Sequence, residues 1–264
     1  MAIKDITLGQ FYPKESKIHS LDARTKILGT ILYLVSLFCV KNFLGFAIAA
    51  LALAIVVAIS GVPFKFISKG LKPILILIIF TMLVNMFATP GTVIFSFWKL
   101  TLTEEGLIRA AFMAIRLILL IFGSSLLTLT TKPIQLTDGL ERLLSPLRVI
   151  GLPAHELAMM MTIALRFIPT LLDETDKIMK AQTSRGADFE SGNLIERAKG
   201  LIPLLVPLFV SAFRIAGDLA MAMEARCYRG GSGRTRMTEA KFKSADLISS
   251  IILVLYFAVI IITR

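Results

Sequence analysis

The sequence is short of the residues from which many soluble enzymes build their sites. Its 264 residues hold two cysteines and two histidines. Cys39 and Cys227 are too few and too far apart for a disulfide framework or a metal cage, and both read as free thiols. His19 and His155 are isolated, which leaves no zinc site and no Ser/His catalytic pair in the reading. No G-x-x-x-x-G-K-[ST] stretch is present, so the chain has no P-loop to hold nucleotide phosphates. The run Gly230-Gly231-Ser232-Gly233-Arg234 comes nearest, but no strand precedes it and it reads as a turn. Charge is sparse as well: 18% of residues are charged against 56% apolar, and mean hydropathy is +0.78. These values exceed those of an ordinary soluble domain and define an integral membrane protein. The net charge of +11 is no argument for nucleic acid, because membrane proteins gather Lys and Arg on the cytoplasmic side for topological reasons. A cleavable signal peptide is not expected, since the first 26 residues are polar and carry Lys4, Lys14, Lys17, Arg24 and Lys26 without a preceding apolar core.

What is present is apolar helix. Crossing a hydrocarbon core of about 30 Å takes roughly 20 largely apolar residues, and five stretches are candidates, near 26–40, 43–62, 74–90, 106–131 and 247–263. Only Lys41-Asn42 separates the first two, which predicts a tight helical hairpin. Arg109 and Arg116, early in the fourth stretch, either snorkel to the interface or face the protein interior, and snorkelling is the simpler expectation. Asn85 in the third is expected to hydrogen-bond to a neighbouring helix. The positive-inside rule places the amino-terminal segment and the loop carrying Lys65, Lys69 and Lys72 in the cytoplasm. Five spans then put the carboxyl terminus outside and leave 132–245 as a cytoplasmic segment. The expected fold is an all-α integral membrane protein with about five transmembrane helices and a cytoplasmic layer of long amphipathic helices. Its divisions are 1–131, with the amino-terminal segment and four spans, 132–245, the cytoplasmic helices, and 246–264, the last span.

Apolar periodicity persists through the cytoplasmic segment. Ile134, Leu136, Leu140, Leu143, Leu144 and Leu147 mark a short amphipathic helix that Pro146 ends or bends. After Gly151 and Pro153, a series running from Met160 and Met161 through Phe167, Ile168, Leu171 and Leu172 to Met179 recurs at steps of three and four. It predicts a helix over 154–185, roughly 48 Å long and bent near Pro169. Asp173–Lys177 and Asp176–Lys180 have the favourable i,i+4 spacing on its other face. A third run begins near Ile195, passes Pro203 and Pro207, and reaches Cys227 through Phe209, Phe213, Ala216, Ala220 and Met223. These helices read as too polar to span and too apolar to be fully solvated, so they pack on one another, on the membrane surface or on another protein. The methionines at 159–161, 179, 221 and 223 either fill irregular contacts or serve a layer that repacks in motion.

Both long runs end on an arginine, in Ser184-Arg185-Gly186 and Ala225-Arg226-Cys227. One cation in a last turn followed by glycine is an ordinary helix ending. Two in one chain, each after a long helix with an early proline and each preceded by slender side chains, support another reading. Each tip is then an anchor whose planar, permanently charged guanidinium enters a socket on another protein. Without a P-loop, any ATP-driven work falls to a partner.

Four stretches carry a family resemblance: HSLDARTKIL (19–28), LPAHELAMMMTIALRFIPTL (152–171), AQTSRGADF (181–189) and AMEARCYRGGSGRT (222–235). The chain resembles the T component, the transmembrane energy-coupling subunit of energy-coupling factor (ECF) transporters, a group that includes the CbiQ-type cobalt transport proteins. The family's two Ala-Arg-Gly-like motifs fall on Ser184-Arg185-Gly186 and Ala225-Arg226-Cys227, each departing at one flanking position. The resemblance implies that residues 132–245 form a coupling-helix domain, with Arg185 and Arg226 docking into grooves on two ABC-type ATPase subunits. It also implies a separate small membrane protein, the S component, that captures a vitamin or metal ion. ATP and Mg²⁺ belong to the ATPases, and this chain binds no cofactor and catalyses nothing.

Two other readings compete. A self-contained secondary carrier would need mid-membrane polar pairs and broken helices, which the spans lack. A membrane prenyltransferase-like enzyme would use Asp173 and Asp176 as half of a Mg²⁺–diphosphate site, but no second acidic cluster faces them and both have lysines four residues on.

Overall fold

Polar caps and glycine set the helix boundaries within the apolar runs. The computed structural model describes residues 11–97, 100–151, 153–187, 189, 193, 195, 200–230 and 242–263. They fall into two compact units, one within Gly9–Leu143 and Ala240–Arg264, the other within Leu144–Glu239.

In the first unit, α1 (Ala23–Cys39) starts where the Asp22 carboxylate accepts a hydrogen bond from the Arg24 amide at 3.0 Å. After Lys41-Asn42, α2 (Phe43–Ser60) ends at Gly61 in a left-handed conformation, the two helices forming the expected hairpin. The short α3 (Phe64–Lys69) and a 3₁₀ turn lead into α4 (Leu75–Ala88). A small antiparallel hairpin of β1 (Val93–Phe97) and β2 (Leu100–Thr103) follows. The Thr103 side chain accepts from the Gly106 amide and starts α5 (Glu104–Thr130), with Glu104 and Glu105 favourably placed in its first turn. α6 (Pro133–Leu144) passes into a 3₁₀ turn that contains Pro146. In the second unit lie α7 (Ala154–Ser184) and α8 (Ile202–Ala225), and the chain returns to the first unit with α9 (Ser244–Ile262).

The core of the first unit joins α1, α2, α5 and α9 through Leu37, Val40, Phe46, Leu53, Leu119, Leu126, Leu129 and Ile260. Gly123 on α5 allows close approach, since a Cβ there would lie 2.7 Å from the Tyr33 ring. Two buried charges lock the polar end. Lys26 Nζ donates to the His19 and Thr130 carbonyls at 2.9 and 3.0 Å, and Asp246 accepts from the Asp22 and Lys243 amides, both at 2.8 Å. Outside this core, large apolar side chains such as Ile55, Ile76, Phe80, Ile252 and Leu255 are exposed. Patches of this extent would drive a soluble protein to aggregate, and in a bilayer they face the hydrocarbon.

The protein is an all-α membrane fold apart from the hairpin. By length and composition, six helical segments among the described residues suffice to cross a membrane: 43–60, 64–88, 104–130, 154–184, 202–225 and 244–262. The sequence reading counted α1 as a span and treated α7 and α8 as too polar. α1 has 17 residues, and α7 and α8, though the least apolar of the six, still qualify by this measure.

The two arginine-tipped helices

α7 and α8 run antiparallel. The Tyr228 hydroxyl, just beyond α8, donates to Met159 Sδ at 2.9 Å and lies 3.3 Å from His155 Nε2, both in the first turns of α7. Toward the other end, the Ser211 hydroxyl donates to Glu174 Oε1 at 3.4 Å, and Glu174 Oε2 is 3.6 Å from Lys177 Nζ. Lys177 therefore reaches Glu174, at i,i+3, rather than Asp173 as the spacing suggested. Antiparallel pairing places Arg226 beside the start of α7, while Arg185 closes its far end. The two tips are thus roughly 40 Å apart at 1.5 Å per residue.

The endings share one geometry. Ser184 is the last residue of α7, Arg185 is its C-cap, and Gly186 follows in the left-handed region at φ 88°. The Gly186 amide donates to Thr183 O and the Ala187 amide to Gln182 O, both at 3.0 Å. On α8, Ala225 is the last residue, Arg226 the C-cap, and Cys227 takes the left-handed position at φ 56°. Its amide donates to Glu224 O at 2.8 Å and the Tyr228 amide to Met223 O at 3.0 Å. Each ending is a Schellman motif with the arginine at the cap and the chain reversing one residue later. Cysteine thus occupies the place glycine holds in the first motif, and the backbone path is kept. Thr183 and Ser184 turn their hydroxyls back onto the Met179 and Lys180 carbonyls at 2.9 and 3.0 Å, so little side-chain bulk surrounds the arginine. Arg185, Arg226 and Cys227 are exposed, and among the described residues neither guanidinium is in an ion pair.

Other sequence readings meet the structure unevenly. His155, isolated in sequence, is part of the Tyr228 brace. Glu174, from the run considered as half of a Mg²⁺ site, ties α7 to α8, and among the described residues no group of three His, Cys, Asp or Glu side chains is placed to hold a metal ion. Asn85 does not bond across helices: its amide nitrogen donates to Thr81 O of its own helix at 2.8 Å. Arg116 Nη2 donates to the Val40 carbonyl, at the carboxyl end of α1, at 3.1 Å. Residues 231–235 of the last family stretch, Leu152 and Asp188 lie outside the described residues.

The polytopic helical fold defines an integral membrane protein, and sequence comparison gives its family. Residues 14–237 match the CbiQ family, described as cobalt transport protein. The energy-coupling factor transporter transmembrane protein EcfT of Clostridium kluyveri is 58% identical over 99% of this chain and 98% of its own length. Its namesake from Thermosediminibacter oceani is 57% identical over 94% of each chain. That from Ruminiclostridium cellulolyticum is 55% identical over 98% of this chain and 97% of its own. The chain belongs to the CbiQ family of transport proteins, and it is a multi-pass protein of the cell membrane.

Proposed function

We propose that this chain is the non-catalytic, transmembrane coupling subunit of an ECF importer, and that its two arginine tips each dock on one ABC-type ATPase subunit. ATP and Mg²⁺ bind to those subunits. Their closure moves α7 and α8, and the motion passes to a small membrane S component that carries a vitamin or metal ion and releases it in the cytoplasm. In this reading the amino terminus and residues 132–245 face the cytoplasm, as the distribution of lysine and arginine suggests, with α7 and α8 lying there although their length and composition would suffice to cross.

The observation that carries the reading is the repeated cap. Two helices of different sequence end in the same Schellman geometry, each presenting an exposed arginine, at opposite ends of one antiparallel pair. Two equivalent sockets, roughly 40 Å apart, suit a pair of identical or related subunits better than one binding site does. Cys227 tests this directly, because it is exposed and adjacent to Arg226. A thiol reagent modifies it rapidly in the isolated chain and slowly once ATPases are bound, while half-buried Cys39 in the membrane unit is unaffected by assembly. Equal Cys227 labelling with and without ATPases would overturn the docking role of the second motif.

A further inference from the structure

Three cations converge on a cavity where α1 gives way to α2. Lys41, Arg109 and Arg116, with Asn85, Phe112 and Met113, line a space of about 310 Å³, and none of these described lining residues is acidic. Glu105, one turn before Arg109, accepts from the Thr92 amide at 2.7 Å and is also near enough to Arg109 for their charges to interact, which leaves Lys41 and Arg116 as the cations without an acidic neighbour in the lining. Arg116 is fixed in place. Its Nη2 caps the carbonyl end of α1 at Val40, its guanidinium lies 5.9 and 5.6 Å from the Phe38 and Phe46 ring centres, and its Nε is buried without a hydrogen-bond partner. Below it, Phe112 packs on Phe43 and Phe46 with ring centres 4.3 and 5.5 Å apart.

Like charges around one cavity repel, and the arrangement is relieved when an anion shares the space. Depth identifies the anion. Lys41-Asn42 immediately precedes α2, a helix long and apolar enough to span, so it lies at the bilayer surface, level with lipid headgroups. We propose that the cavity binds the phosphate of an anionic phospholipid, with Lys41 and Arg109 on the phosphate oxygens, Arg116 as the fixed charge behind them, and the phenylalanine floor against the first carbons of the acyl chains. Arginine suits phosphate through paired N–H donors, and lysine as a mobile point charge. A free phosphate ion offers the same charge chemistry but has no use for the aromatic floor.

Native mass spectrometry of the full-length chain, released from micelles containing phosphatidylglycerol or phosphatidylcholine, tests the site. The chain is expected to retain phosphatidylglycerol about tenfold better than phosphatidylcholine, a difference of about 1.4 kcal/mol. The double variant Lys41→Gln, Arg109→Gln loses that preference; both side chains are exposed, so folding is expected to survive. The charge-keeping variant Lys41→Arg, Arg109→Lys retains it. Unchanged phosphatidylglycerol retention in the glutamine variant overturns the site. Displacement of the lipid by millimolar inorganic phosphate, dependent on the same two residues, overturns the lipid assignment in favour of a free-anion site.

Discussion

Cys227 is held at φ 56°, where a side chain with a Cβ costs about 1 kcal/mol or more. Cys227→Gly removes that strain but adds freedom to the unfolded chain, for a net gain of several tenths of a kcal/mol. Cys227→Val, β-branched at the same position, costs about 1 kcal/mol further. Thermal unfolding in detergent is expected to rank Gly above Cys above Val. His19 makes a pH-dependent contribution. Its ring is 2.7 Å from the Ser16 hydroxyl, its Nε2 is buried without a partner, and burial followed by the nearby Lys26 charge lowers its pKa below 6.5. The unfolded chain therefore takes up the proton first as pH falls, so this stabilisation is complete above pH 6.5 and declines below it. His19→Gln is expected to flatten the acid limb of a plot of stability against pH, and an unchanged slope would remove His19 as its source. The sequence marked both residues only as a thiol and an isolated histidine, because conformation and burial decide their roles.

At the scale of elements, much was legible and the reasons are particular. The steps of three and four after Pro153 predicted α7 to within one residue of its end, and Pro169 sits inside it without ending it. The arginine motifs were visible because glycine after a terminal cation is a strong local signal, yet their common geometry was hidden where cysteine replaces glycine. The antiparallel pairing was not legible at all: His155, Met159 and Glu174 on one helix meet Tyr228 and Ser211 only in the folded chain. Gly123 was equally silent, one glycine in an apolar run, although the α1–α5 contact depends on it. Gly123→Val forces a Cβ to within 2.7 Å of Tyr33 and is expected to cost roughly 1–3 kcal/mol, read as a lower unfolding temperature in detergent. Full retention of that temperature would show that the two helices can separate freely.

Taken as a whole, the molecule combines a membrane unit locked by buried charges at one polar end with a helix pair that presents two exposed cations. The membrane unit follows from hydropathy and caps, which is why α2, α4, α5 and α9 could be placed from sequence. The lock itself, with Lys26 on two carbonyls and Asp246 on two amides, joins residues more than 200 positions apart and was beyond any local pattern. The family stretch at 19–28 gains a physical reason, since Asp22 caps α1 and Lys26 ties it to α5. The central proposal concerns the helix pair: that each arginine holds one ATPase. The most direct measurement is the subunit stoichiometry of the purified transporter, by native mass spectrometry, for Arg185→Glu, Arg226→Glu and the double variant. Reversing a charge at a docked interface costs roughly 2–5 kcal/mol. Each single variant is therefore expected to lose one ATPase and the double variant both, while the S component stays bound. Two ATPases retained on the double variant would contradict the account.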